Sequence, residues 1–152
     1  MVKIGVGEEK DIFDEMSLSL LMYNISQNGI KFAKLKSKEL TDIGECYYLL
    51  KIYYSERELS QEDLCDIFCQ SKGTVAKTLR KLEDKGYIER IINKNNRRKY
   101  ILKLTKKGDE LIPVLKREAD YWHNSVGFTE VSEETMDVIR TVARKSYNLV
   151  ND

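Results

Sequence analysis

Between Ser60 and Gly86 the chain spells out two short helices with almost nothing between them, and this stretch limits the fold more than any other. Ser60-Gln-Glu-Asp63 approximates a capping box ahead of Leu64, Ile67 and Phe68, which give a first helix its apolar face. After a break at Cys69-Gln70, Ser71 is a second N-cap candidate. Val75, Leu79 and Leu82 then stand at i, i+4 and i+7, all on one side of a helix that Gly86 ends as a C′ glycine. Two Ile- and Tyr-rich runs follow, residues 87–92 and 99–104. They flank the polar tract 93–98 and predict a β-hairpin.

The flanking sequence reads as further helices. Ile12, Phe13, Met16, Leu20, Leu21 and Ile25 fall near helical spacing and predict one long helix from residue 11 to about 36, weakened near its middle by Gly29. Thr41 is an N-cap candidate for a second helix with a buried stripe of Ile43, Cys46, Tyr47, Leu50 and Tyr54. Thr105 caps a helix that must accommodate Pro113, and Ser132 caps a last one striped by Met136, Ile139, Val142 and Ala143. One proline and eight glycines in 152 residues argue against a turn-rich all-β fold. The expectation is a single, mainly α domain with a small β-hairpin, free of repeats and low-complexity linkers.

A short helix, a tight turn, a second helix with a basic outer side and then a basic hairpin is the order of a winged helix-turn-helix. The charge distribution agrees. The whole chain carries only +1, yet residues 60–107 hold thirteen Lys/Arg against six Asp/Glu, a balance of +7, which leaves −6 for the rest. At ~100° per residue, the side opposite Val75, Leu79 and Leu82 carries Gly73, Lys77, Arg80 and Lys81. Gly73 permits close backbone approach, and the cations suit phosphates or base edges in a major groove wide enough for one helix. Ser71, Lys72 and Thr74 gather at the helix N-terminus, where free N–H groups and the dipole favour a phosphate oxygen. Lys94, Arg97, Arg98 and Lys99 charge the hairpin tip, a shape that reaches the minor groove. Winged domains also serve as protein-interaction modules, so a reading without DNA stays open. The apolar stripes of the first and last helices exceed what a winged domain of about 50 residues covers, which predicts a homodimer.

The residues also resemble a family. Leu40-Thr41, Leu59-Ser60-Gln-Glu-Asp-Leu64, Gly73-Thr-Val-Ala-Lys77, Leu82-Glu-Asp-Lys-Gly86-Tyr-Ile-Glu-Arg90, Asn96-Arg-Arg98 and Leu104-Thr-Lys-Lys-Gly108 are similar to the MarR family of transcriptional regulators. The resemblance implies a DNA-binding homodimer on a palindromic operator, most simply a repressor. About 11–40 and 106–150 would form intertwined dimerisation helices, and about 41–105 the winged helix-turn-helix. It places Lys77 at a frequent recognition-helix cation and Arg98 at the wing arginine that enters the minor groove. Asn96 stands where an aspartate is usual, exchanging an ion pair for a neutral hydrogen bond. Cys69 and Gln70 replace the small and apolar residues common in the turn.

The resemblance further implies a small aromatic effector, for which Tyr23, Tyr47 and Tyr48, with Tyr53 and Tyr54, are the candidate lining, although the favoured reading of these tyrosines is as ordinary core and interface residues. A cysteine-based redox-sensing regulator is another alternative. It would use Cys69, since Cys46 and Cys65 lie on apolar faces. No metal site is expected: Cys65 and Cys69 are four apart, but the one histidine, His123, is remote. No cofactor is expected either, and without a phosphate loop or a nucleophile motif the chain does not read as an enzyme. Three cysteines, no apolar leader and no membrane-length run place the chain, as an expectation, in the cytoplasm.

Overall fold

The computed structural model describes residues 11–36, 43–93 and 96–151, with only the backbone of Ile43 and of residues 96–99. Six helices and one hairpin follow in the order α1 (Leu18–Lys36), α2 (Ile43–Tyr54), α3 (Gln61–Phe68), α4 (Lys72–Asp84), β1 (Ile88–Asn93), β2 (Asn96–Leu104), α5 (Lys106–Ser125) and α6 (Glu133–Asn151), with a short 3₁₀ turn at Phe128–Glu130. The expected mainly helical winged architecture is the observed one. Thr41 and Lys94 lie outside the described residues.

Local chemistry sets most helix starts. Ser60 and Asp63 form a reciprocal capping box at α3: the Asp63 N–H donates to Ser60 Oγ at 3.3 Å, and the Ser60 N–H donates to Asp63 Oδ2 at 2.7 Å. Arg57 adds an ion pair to the other carboxylate oxygen at 2.7 Å. Burial works against ionisation of Asp63, but the Ser60 hydroxyl and amide and the Arg57 guanidinium outweigh it and bring the carboxyl down to about 2. A carboxyl depressed in the folded state adds stability that is complete above its unfolded value near 4 and is lost as pH falls toward 2. Asp63→Asn is therefore expected to cost about 1 kcal/mol at pH 7, discounted for partial solvent screening. Urea titrations at pH 7 and near pH 3 should show that penalty shrinking in acid.

The helix predicted from residue 11 begins later, at Leu18. Asp11 and Asp14 close a turn on themselves, the Asp11 N–H donating to Asp14 Oδ2 and the Asp14 N–H to the Asp11 carbonyl, both at 2.9 Å. Short acidic side chains compete for backbone donors in this way, so Ile12, Phe13 and Met16 precede the helix. Ser17 then caps α1 by accepting the Leu20 N–H at 3.3 Å.

A second correction concerns α2. Its fully buried side is Glu45, Tyr48 and Leu49, while Tyr47 and Tyr54 of the expected stripe are 51% and 56% exposed. The helix is apolar on nearly every side, so periodicity alone does not select a face. The third concerns the hairpin. The strands pair antiparallel from Ile88↔Leu104 to Ile92↔Tyr100, then shift register to Asn93↔Asn96, so β2 begins at Asn96 rather than at residue 99 and β1 at Ile88 rather than 87. Only residues 94–95 separate the strands.

The core is where α2, α3, α4, the hairpin and the first half of α5 meet. Leu64, Val75, Leu79, Leu82, Ile88, Leu102, Ile112 and Leu115 are buried together with Tyr48 and Leu49, whereas Ile67 of α3 faces out. Leu59 adds a rung beside β2 through the Leu102 N–H at 2.8 Å. In contrast, α6 buries no residue in the single chain, and Leu149 and Val150 stand 85% and 76% exposed. Pro113 lies within α5 on its exposed side, with the helix running through it to Ser125.

Candidate nucleic-acid interface

The outer face of α4 is defined by what its inner face buries. Val75, Leu79 and Leu82 have no exposed surface, so the helix cannot turn another face inward without opening the core. Ser71 caps it in extended conformation, accepting the Thr74 N–H at 3.2 Å and sharing a hydrogen bond with the Thr74 hydroxyl at 2.9 Å. Lys72, Gly73, Thr74, Lys77 and Arg80 are exposed on the opposite side, and Lys81 is half-buried at its edge. Among the described residues Lys77, Arg80 and Lys81 form no ion pair, although neighbouring charges do. Arg90 of β1 holds Glu83 at 3.0 Å, and Lys85 holds the buried Glu45 at 2.6 Å. Glu83 and Glu45 are thereby paired, Asp84 stands exposed at the end of α4, and Lys77 and Arg80 stay on the solvent side.

The hairpin is tied to the end of α4 by a compact knot. Gly86 adopts φ 73°, and Thr105 donates its N–H to the Tyr87 carbonyl at 3.0 Å and its hydroxyl to the Gly86 carbonyl at 2.6 Å. Lys107 donates to the Lys85 carbonyl at 2.8 Å and lies 4.6 Å above the Tyr87 ring. The wing and α4 therefore leave the body as one unit. Arg97 and Arg98 occupy β2 in backbone; their side chains lie outside the described residues.

The tyrosines separate. Tyr47 lines a cavity of about 380 Å³ between α1, α2 and α5, together with Phe32, Lys36, Cys46, Leu50 and Trp122. Burial, and secondarily Cys46, pushes its phenol above the ordinary value. Tyr48 points the other way, into the core, and Tyr23 is 61% exposed on α1; neither lines the cavity. Phe32, Cys46 and Trp122 were not singled out from sequence as cavity residues. They come from three helices distant in the chain, and no local pattern marks them. Cys69 is exposed in left-handed conformation (φ 50°), its Sγ 3.7 Å from the Asp66 carbonyl. Burial raises the Cys65 thiol, which makes it a poorer nucleophile. Among the described residues no helix is long and apolar enough to cross a membrane.

Comparison with known proteins gives the same picture. The MarR family model matches residues 42–100. The HTH-type transcriptional regulator BilQ of Clostridioides difficile is 33% identical over 112 residues, covering 72% of this chain and 74% of that protein. A crystal structure of MarR superposes with a TM-score of 0.69 at 29% identity, over 93% of this chain and 95% of the other. An S. aureus MepR–DNA complex shares the fold with a TM-score of 0.70 at 22% identity, over 90% of this chain and 99% of its own. The family and these relatives are transcriptional regulators, not enzymes. With its capped α4, its basic outer face and the wing locked behind it, the chain belongs to the MarR family of DNA-binding winged-helix transcriptional regulators.

Proposed function

We propose that the protein is a homodimeric repressor that occupies a palindromic operator, with α4 in the major groove and the hairpin in the adjacent minor groove. The observation that carries this reading is the cationic face of α4, where Lys77 and Arg80 form no ion pair among the described residues, set opposite a stripe with no exposed surface. Ser71, Lys72 and Thr74 would take a phosphate at the helix N-terminus, Gly73 would admit the DNA backbone closely, and Lys81 would border the contact. Arg97 and Arg98 would extend it to the minor groove. That the MepR–DNA complex shares the fold supports a DNA-binding reading.

Residues of about 41–105 would form the reading unit, and about 11–40 and 106–150 the dimerisation region. Support comes from the apolar residues the single chain leaves uncovered on both terminal helices, among them Leu18, Ile25 and Leu35 of α1 and Val138, Leu149 and Val150 of α6. A repressor of this kind acts where the chromosome is, in the cytoplasm. Release by a small aromatic ligand is supported by the cavity beside Tyr47, whose apolar walls include Phe32 and Trp122.

A gel shift on the gene's own upstream region tests the reading. Contact with six or more phosphates makes affinity fall roughly a thousandfold between about 50 and about 200 mM salt. Arg98→Ala should weaken binding by about tenfold, chiefly at A·T-rich flanks. A protein-interaction module would instead shift no upstream fragment and bind a partner regardless of salt. Light scattering should give twice the chain mass at micromolar concentration, and a monomer there would remove the dimer from the proposal.

A further inference from the structure

α2 stands between the cavity and α4, and its two sides have different contents. Cys46, Tyr47 and Leu50 line the cavity. Glu45 and Tyr48, one turn apart on the other side, reach the two ends of α4. At the C-terminal end, Glu45 Oε2 receives Lys85 Nζ at 2.6 Å, and Lys85 is the C-cap of α4. At the N-terminal end, the Tyr48 hydroxyl donates to Gln70 Oε1 at 2.6 Å, and Gln70 immediately precedes the N-cap Ser71. Phe68 stacks on the Tyr48 ring with centroids 4.7 Å apart, fixing the direction of that hydroxyl.

From this arrangement we infer that Glu45 and Tyr48 are positioning residues for DNA binding, which set the tilt and roll of α4 while touching no DNA. The inference rests on the reading of α4 as the helix that enters the groove. Both residues are almost fully buried, Glu45 at 0% and Tyr48 at 1% exposed, so they act on DNA only through residues they hold, Lys85 and Gln70 among them. Apolar packing is non-directional: the stripe of Val75, Leu79 and Leu82 decides which side faces in, but tolerates small rolls. Hydrogen bonds are directional. One at each end of a 13-residue helix, about 20 Å long, fixes both angles together. A roll of ~15° moves a side-chain end by ~1.5 Å at a radius of ~6 Å. That is enough to spoil base-edge hydrogen bonds and too little to disturb attraction to the phosphates.

The test measures affinity for the operator and for an unrelated duplex, at one salt concentration, for Tyr48→Phe, Gln70→Leu, the double variant and Glu45→Gln. Loss of one neutral hydrogen bond should weaken operator binding about five- to tenfold in Tyr48→Phe. Gln70→Leu, at an exposed position that does not endanger folding, should match it. The double variant should be no worse than either single one, and Glu45→Gln should show the same selective loss. Binding to the unrelated duplex should stay within about twofold, because the cations that dominate it are untouched.

Unchanged operator affinity in Tyr48→Phe and Glu45→Gln overturns the inference. So do additive losses in the double variant, or a parallel fall for both duplexes with a lowered thermal midpoint. Lys77→Ala run alongside separates the two claims. If it weakens operator binding while Tyr48→Phe leaves it unchanged, the positioning role alone fails; if it has no effect, the reading of α4 fails.

Discussion

Replacing Lys77 and Arg80 together with alanine is expected to lower operator affinity by at least about a hundredfold while leaving the fold intact. Each good contact from such a helix is worth ~1–3 kcal/mol. The proposed dimer loses every contact twice, so four contacts at the lower end of that range total ~4 kcal/mol, about a thousandfold. The fold should be insensitive, because both side chains are exposed and neither makes an ion pair among the described residues. Surface changes of that kind stay within about 0.5 kcal/mol. Titrations at several salt concentrations would also separate the roles of the two residues. A cation on a phosphate lowers the log–log salt slope by about 0.9 when removed and weakens all sequences alike. A cation on a base edge instead relaxes preference at one position of the site. Parent-like affinity in the double variant would mean that the basic face of α4 is only a solvated surface.

How much of this was legible in the sequence follows from the range of the interactions involved. The caps at Ser60, Ser71, Thr105 and Ser132 are contacts within three residues, and each forms as its spacing predicts. The same holds for Val75, Leu79 and Leu82, whose polar surroundings leave one helical phase. α2 failed because it is apolar on both sides. The choice between Tyr47 and Tyr48 was made by the position of α4 and by Lys85, which compensates a buried Glu45 from 40 residues away. The tract 93–98 reads as turn by composition, yet Asn96 pairs with Asn93 across the hairpin, and Arg97 and Arg98 fall within β2 between that pair and Tyr100. The cavity was invisible for the same reason: Gly29, Phe32, Tyr47 and Trp122 belong to three helices, and only their packing brings them together. The face of α4 was therefore readable from local pattern, whereas the grips that hold its ends were not.

Gly108→Ala is expected to destabilise the protein by about 3–4 kcal/mol, a large effect for a single methyl group. Gly108 is buried in the first turn of α5, and a Cβ there would overlap the backbone carbonyl oxygen of Tyr87. No side-chain movement relieves that overlap, because the obstacle is main chain. The start of α5 must back away from the turn at Gly86 and Tyr87, stretching the two Thr105 hydrogen bonds to those carbonyls and the Gly108 N–H bond to Thr105 Oγ1 at 3.1 Å. Overpacking costs ~1–3 kcal/mol, and each weakened hydrogen bond adds up to ~1. The penalty is a large part of the ~5–15 kcal/mol that holds a domain together, and thermal melting should fall by roughly 10 °C. Gly73→Ala is the opposite case. Its Cβ would meet nothing closer than Ser71 Oγ at 3.9 Å, on an exposed helical position. It should stabilise α4 by up to ~1 kcal/mol through helix propensity, yet weaken operator binding because the added methyl would stand where the proposed complex brings the DNA backbone close. If Gly108→Ala melts like the parent, the knot between wing and body does not hold α5. If Gly73→Ala binds the operator as tightly as the parent, the N-terminal turn of α4 does not lie against DNA.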